Sequence, residues 1–479
     1  MRSAAIILAA GRGTRMRSKR SKLLHEVAGR PIIEHVVRAA LALEASPVVV
    51  VLGHQREEIQ AHLEETFPGA PLRFGFQSEQ LGTAHAVRCG LDAIGGYEGQ
   101  LLILCGDTPN LDPELLREFE LHCEHARLGV MGMRLEDPGS YGRLLRDEAG
   151  HLVAIREARD CSPEDRAIRE VNAGLYYVHK GFLFDTLQKL GRDNAQGEYY
   201  LTDIVSIAAS EGHSVVDMVV EGFPSRSFEG VNDRGDLARA EARFQLRLKA
   251  KAMREGVTLV DPNRTYLQSS IQFGEDIHIE PDVSLIGDCV VGDDVIIEQG
   301  CRLVDTVIEA GAHIRAYSHC EGAHIGPEAV VGPYARLREG SHLAAKVKIG
   351  NFVETKKAHF HEGSKASHLS YIGDAEVGAR ANIGAGTITC NYDGYKKHRS
   401  EIGEGAFIGS DTQLVAPVKV GAGAFVAAGS TVTQDVPADA LSLTRPETTQ
   451  KLDWATKFRA RQEGGQAAEE KKSPPAGET

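Results

Sequence analysis

The chain has 479 residues, enough for two to four domains, and its 42% hydrophobic and 25% charged residues are an ordinary globular balance. With 54 Lys and Arg against 67 Asp and Glu, the formal charge is −13, which sets the surface as a whole against nucleic acid and anionic membrane. No apolar run is long enough for membrane insertion or a signal sequence, and the eight cysteines form no CxxC pair, so a cytoplasmic protein with reduced thiols is expected.

From the start, short apolar runs alternate with amphipathic stretches. Ala4–Ala9, Val48–Leu52 and Leu101–Cys105 have the unbroken character of buried parallel strands. Ile32–Leu43 and Ala84–Ile94 carry helical periodicity. This alternation, running to about residue 231, predicts a Rossmann-like α/β sheet covered on both faces. A helical arm follows over 232–256, with Leu237, Ala240, Phe244, Leu248 and Ala252 in one stripe. Asn232 or Asp233 can cap its start and Gly256 can end it.

Beyond the arm the period changes to six. Val291-Gly-Asp-Asp-Val-Ile296, Ile325-Gly-Pro-Glu-Ala-Val330, Ile383-Gly-Ala-Gly-Thr-Ile388 and Val420-Gly-Ala-Gly-Ala-Phe425 are examples, and several units are directly adjacent. Such an array predicts a parallel β-helix over 257–461, its aliphatic residue inside and its small residue allowing coils to stack. The hexads break between Ile388 and Ile402, which marks a loop inserted in a coil and bearing Lys396, Lys397, His398 and Arg399. From residue 462 to 479 there is no aliphatic run, and a disordered tail is expected.

The chemistry of the first half begins at Leu8-Ala-Ala-Gly-Arg-Gly-Thr-Arg-Met16, followed by Lys22. Gly11 and Gly13 clear the way for backbone amides to approach phosphate, and Arg15 and Lys22 add positive charge. Met16 breaks the GxGxxG pattern, and no Gly-Lys-Ser/Thr follows, so neither a dinucleotide fingerprint nor a Walker A loop is present. The motif resembles the opening of the sugar-nucleotide pyrophosphorylases. Later segments, Gln77–Ala86, Cys105–Pro109, Tyr141–Arg143, Glu170–Gly174, Asn194–Asp203 and Glu229–Arg234, are similar to those of the bifunctional bacterial uridylyltransferase–acetyltransferase family. Small departures are Ser21 and Glu26, where proline is frequent, and Arg156 in place of an apolar residue beside Glu157.

That resemblance implies transfer of uridylyl from UTP to N-acetylglucosamine-1-phosphate, with Arg15 catalytic. Mg²⁺ would be held by Asp107 and Asn232, a hard cation suited to oxygen ligands. It further implies nucleotide and sugar contacts from Leu8, Ala9, Ala10, Gly11, Lys22, Cys105 and Gly106, with uracil read by Gln77, Gly82 and Thr83. Gly142, Glu157 and Asn172 would contact the sugar.

A β-helix alone does not name a reaction. It can serve only to trimerise or regulate a pyrophosphorylase, and the same fold supports zinc carbonic anhydrases, for which His313, His319 and His324 have a suggestive spacing. Histidines in a hexad array are more often surface residues. Gly332–Arg338, Gly350–Lys357, Gly363–Asp374, Asn382–Gly394 and Gly409–Pro417 occur in the order of the same bifunctional family, which resembles the hexapeptide acyltransferases in this half.

This second resemblance implies a left-handed helix, a homotrimer, and acetylation of glucosamine-1-phosphate from acetyl-CoA with His368 as general base. Arg338 and Lys356 would hold the sugar phosphate, and Tyr371 and Asn382 the sugar. Acetyl-CoA would lie near Ala385, Asn391, Tyr392, Ser410, Ala428 and Arg445. The product would feed peptidoglycan and outer-membrane sugar synthesis.

Overall fold

The computed structural model describes residues 3–444 and 447–470, with side chains described to 463. By internal packing the chain divides into two compact units, Met1–Gly311 and Ala312–Thr479.

In the first unit, strands β1 (Ala4–Ala9), β2 (Glu26–Val27), β3 (Arg30–Pro31), β4 (Val48–Leu52), β5 (Leu72–Phe76) and β6 (Gln100–Cys105) come first. They are followed by β7 (Leu128–Arg134), β8 (Arg143–Arg146), β9 (Leu152–Arg156), β10 (Glu170–His179) and β11 (Val215–Glu221). Between them run α1 (Ile32–Ala42), α2 (Arg56–Thr66), α3 (Thr83–Ile94), α4 (Pro113–His122), α5 (Lys180–Leu187) and α6 (Asp203–Ser210). The main sheet has the order β11-β7-β10-β6-β1-β4-β5. Along β1, Ala5, Ile7 and Ala9 enter one core and Ala4 and Ile6 the other, which is why the strand is apolar at successive positions.

One feature of the sheet differs from the expected parallel set. β10 pairs antiparallel with both β6 and β7, while β1 pairs parallel with β4 and β6. A strand buried on both faces has the same apolar texture in either direction, so its sense is not written in its pattern. Because β4 and β6 flank β1 on opposite sides, the loops after β1 and β6 open a crevice at the carboxyl ends of the strands.

The arm is α7 (Arg234–Arg254), capped by Asp233, whose carboxylate accepts from the Asp236 N–H at 2.9 Å. Ala240, Phe244 and Ala252 of its apolar stripe are buried. On its other flank, buried Gln245 donates to the Leu267 carbonyl and accepts from the Leu267 N–H at 3.1 Å. These bonds fasten the arm to the first β-helix coils. The packing boundary at Gly311 therefore lies well inside the hexad array and not at residue 256, where the sequence changes texture.

Within each unit the coils pair in parallel three hexads apart: Ser284 with Arg302 in the first, Arg336 with Glu354 in the second. Leu285, Leu303, Leu337, Thr355 and Ile372 fill the interior. Stacking is tight where the repeat demands a small residue; a Cβ on Gly409 would lie 2.4 Å from the Ala428 nitrogen. Asn382 pairs with Phe407 because the Asn391–Arg399 segment leaves the coil between them.

The last helix, α8 (Trp454–Glu470), runs across residue 462, where a tail without structure was expected. Low hydrophobicity excludes a buried core there, but Ala, Arg, Gln and Glu favour helix locally. The 471–479 part of that expected tail lies outside the described residues. Among the described residues no helix is long and apolar enough to cross a membrane.

Candidate functional sites

The first site is a cleft of about 280 Å³ at the β1/β6 crevice. It is lined by Leu8, Ala9, Ala10, Gly11, Lys22, Gln77, Gly82, Thr83, Cys105 and Asp107, all expected from the sequence. Gly106 lies at its edge and donates to the Leu8 carbonyl at 2.9 Å, tying the ends of the two strands together. Lys22 Nζ donates to Asp107 Oδ2 at 2.6 Å, a partly buried ion pair. The Val231 N–H donates to the Asp107 carbonyl at 2.8 Å, which brings Asn232 alongside. Arg15 in turn donates to Asn232 Oδ1 at 2.8 Å. Cationic donors thus already occupy the two oxygens singled out as metal ligands. Burial, and then the Asp107 charge, push the Cys105 thiol up to about 12, so it stays neutral.

The expected sugar residues form a second group joined to this cleft. The Asn172 N–H donates to the Gly142 carbonyl at 2.8 Å, and Asn172 Oδ1 accepts from the Gly174 N–H. Gly142 faces Glu157, and Glu157 accepts from Thr202 at 3.2 Å. Thr83 accepts from the neighbouring Leu201 N–H, linking the sugar group to the base loop. Arg156 turns instead to Asp165, at 2.6 Å. Burial raises the Glu157 carboxyl above the usual carboxylate range. Gln80 and Glu198 also line the cleft, and the sequence reading passed over them although both lie inside motifs it used.

In the second unit, His368 ends a strand and its Nδ1 meets Asn351 Oδ1 at 2.8 Å, one coil away. Ser370 donates to the His368 and Gly384 carbonyls, joining this coil to that of Ala385. The Asp411 N–H donates to the Ala385 carbonyl and the Gly429 N–H to the Ser410 carbonyl. Ala385, Ser410 and Ala428 therefore form one column, rising coil by coil about 4.8 Å at a time.

Tyr371 begins the strand after the His368 corner, where it pairs with Glu354. Arg338 donates to Glu354 at 2.9 Å. Lys397 of the inserted loop comes to Lys356, and its contact, followed by the Lys397 and Arg338 charges, lowers the Lys356 ammonium pKa. With Glu354 engaging Arg338, the convergent Arg338, Lys356 and Lys397 still leave an excess of positive charge that suits an anion. The sequence placed Lys397 on the loop without assigning it a role. Asp393 shapes that loop by accepting from the Tyr395 and Lys396 N–H groups and pairing with His398 at 2.7 Å.

Asn391 donates to Asp374 at 2.6 Å and lies 3.4 Å from the Tyr371 hydroxyl; Tyr392 is exposed at the loop's base. Asn382 pairs with Lys365 on the His368 strand. His359 and His361, left without a role, both meet Glu376. Arg445 lies outside the described residues.

Comparison with known proteins finds family matches in both halves of the chain. The MobA-like NTP transferase domain family matches residues 5–170, the GMPPB C-terminal domain 264–359, and the six-repeat bacterial transferase hexapeptide 399–434. The Bifunctional protein GlmU of Pelobacter propionicus is 47% identical over 95% of this chain and 98% of its own. The proteins of the same name from Anaeromyxobacter sp. and Acinetobacter baylyi are 48% and 44% identical, over 98% and 95% of this chain and 96% and 98% of theirs. The chain belongs to the GlmU family. One polypeptide joins uridylyltransferase and acetyltransferase activities, so the β-helix carries a reaction of its own.

Proposed function

We propose that the second unit acetylates glucosamine-1-phosphate from acetyl-CoA, and that the first then joins the product to UTP, releasing pyrophosphate. The observation that carries this reading is the assembly of Lys22, Asp107, Asn232 and Arg15 around one open cleft. Attack of a sugar phosphate on the α-phosphate of UTP brings two anions together, and that arrangement supplies the compensating charge.

Asp107 and Asn232 stand side by side and offer oxygen donors, one of them charged, a donor set that fits Mg²⁺. Bound there, Mg²⁺ would polarise the α-phosphate and neutralise charge on the departing pyrophosphate. Lys22 and Arg15, released from Asp107 and Asn232, would turn to the phosphates. Gln77, Gly82 and Thr83 would hold uracil, and Gly142, Glu157 and Asn172 the sugar.

For acetyl transfer, the Asn351 amide oxygen can only accept, so in the neutral imidazole of His368 the proton belongs on Nδ1 and Nε2 is the free acceptor. That nitrogen would take the proton from the sugar amine as it attacks the thioester. Arg338, Lys356 and Lys397 would bind the phosphate, with Tyr371 and Asn382 on the sugar. The coenzyme would run along Ala385, Ser410 and Ala428, with Asn391, Tyr392 and Arg445 at its flanks.

Beside the His368 column an apolar ridge of Tyr317, Tyr334, Phe352 and Leu369 is 47–62% exposed, with its rings stacked 5.2 and 5.5 Å apart. Covering this ridge with a second copy of the chain would give a homotrimer, expected as the single species by light scattering, in the cytoplasm where UTP and acetyl-CoA are found. A monomer retaining full acetyl transfer would contradict it.

The whole reaction is tested by incubating purified protein with glucosamine-1-phosphate, acetyl-CoA, UTP and Mg²⁺ and omitting one component at a time. UDP-N-acetylglucosamine should form only in the complete mixture, and N-acetylglucosamine-1-phosphate should accumulate without UTP. Failure to acetylate would leave the β-helix as an assembly module.

Glu157→Gln gives a prediction of mixed sign. A buried carboxylate with a raised pKa binds its proton more tightly in the folded than in the unfolded state, so the fold gains stability as pH falls through the folded value. Glutamine removes the buried charge. Its Tm should exceed the parent's by a few degrees at pH 8, with a smaller excess at pH 5. The KM for N-acetylglucosamine-1-phosphate should rise. Equal melting curves at both pH values would show that the carboxylate is not strained by burial.

A further inference from the structure

Gln80 connects the two turns that wall the nucleotide cleft. Its side-chain Nε2 donates to the Ala10 carbonyl oxygen at 2.8 Å, across 70 positions of sequence. Room for this carbonyl is kept by Gly53, where a Cβ would lie 2.6 Å from the same oxygen. The direction of the Ala10 carbonyl is thus fixed by a specific donor in a confined space.

A trans peptide is planar, and its C=O and N–H point in opposite directions. Holding the Ala10 carbonyl toward Gln80 therefore turns the Gly11 N–H the other way. Gly11 lines the cleft with Lys22 and Asp107, and a Cβ built on it would meet nothing within 4 Å. Among the described residues no acceptor takes the Gly11 N–H. An unpaired amide at the lip of a cleft with a lysine and a metal-type carboxylate is a donor for phosphate oxygen.

We propose that Gln80 is a positioning residue that sets the Ala10–Gly11 peptide so that its N–H faces the triphosphate of the bound nucleotide. Gln80 touches no reacting atom; it acts through a backbone group that does. This rests on the uridylyltransferase reading of the cleft. Since the donor meets the nucleotide and not the sugar, its loss should appear in nucleotide binding.

Steady-state uridylyl transfer by full-length Gln80→Ala and Gln80→Glu tests the idea. Glutamate is nearly isosteric but cannot donate to a carbonyl when ionised. Both variants should raise KM for UTP about tenfold, less than the loss of an oxyanion donor itself, with kcat within about threefold. The KM for N-acetylglucosamine-1-phosphate and the acetyl-transfer rate should not move. A merely structural glutamine would lower Tm and the active fraction while leaving KM for UTP unchanged, and that result overturns the proposal. So does an unchanged KM in well-folded variants. If alanine prevents folding, UTP titration of Gln80→Glu by calorimetry carries the same test. Absence of uridylyl transfer in the parent protein would instead reject the reading of the cleft.

Discussion

Replacing Asp107 with alanine is expected to lower uridylyl transfer by about 10³-fold or more, while acetyl transfer stays within about twofold of the parent rate. The size follows from how little else the cleft has to offer a cation beside Lys22: the other lining carboxylate, Glu198, lies against Gly82 at the base loop, and Asn232 carries no charge. Among the described residues no group of three His, Cys, Asp or Glu side chains converges to form a substitute site. The same change leaves Lys22, whose side chain is only 10% exposed, without its partner. Lys22 can still reach phosphate, so binding should suffer less than turnover. Asp107→Asn separates these effects, because it preserves shape and removes charge. Pyrophosphate release and free coenzyme thiol, measured on one preparation, report the two reactions side by side. If a folded Asp107→Ala protein lost both activities together, the two reactions would share a site and the division of labour proposed here would fail.

How much of this was legible beforehand depended on whether the cause was local. β1, β4 and β6 showed as apolar runs because residues on both faces are buried, and the hexads showed because each coil repeats one demand for an aliphatic and one for a small residue. The antiparallel sense of β10 left no mark for the same reason. Nor could the sequence reveal that the early coils pack with the first unit, since that depends on Gln245 meeting Leu267, and Gln245 sits between Glu241 and Lys249 on a flank that looks solvated. The meeting of Lys397 with Lys356 was out of reach because loop shape depends on the bonds Asp393 happens to make. Gln80 was hidden differently: it stood inside a recognised motif, but its partner is a backbone carbonyl, which any residue could have supplied. A side chain that acts by orienting backbone leaves no signature of its own in a sequence.

The second large effect belongs to His368. Alanine there should reduce acetyl transfer by about 10²–10⁴-fold, the usual contribution of a general base, and leave uridylyl transfer unchanged. Asn351 sharpens the test, because its only proposed task is to accept the His368 Nδ1 proton and so keep Nε2 free. Asn351→Ala leaves the imidazole in place but lets either nitrogen carry the proton and lets the ring turn. A loss of about tenfold is expected, smaller than for the histidine itself. Since Asn351 acts through His368, the two changes should not add: the double variant should be no slower than His368→Ala alone. Additive losses would mean that Asn351 touches substrate directly or supports the coil independently. Acetylation at near the parent rate in His368→Ala would remove the histidine from the mechanism, and the base would have to be sought among the other groups of the same face, with Glu354 the nearest carboxylate in register with Tyr371.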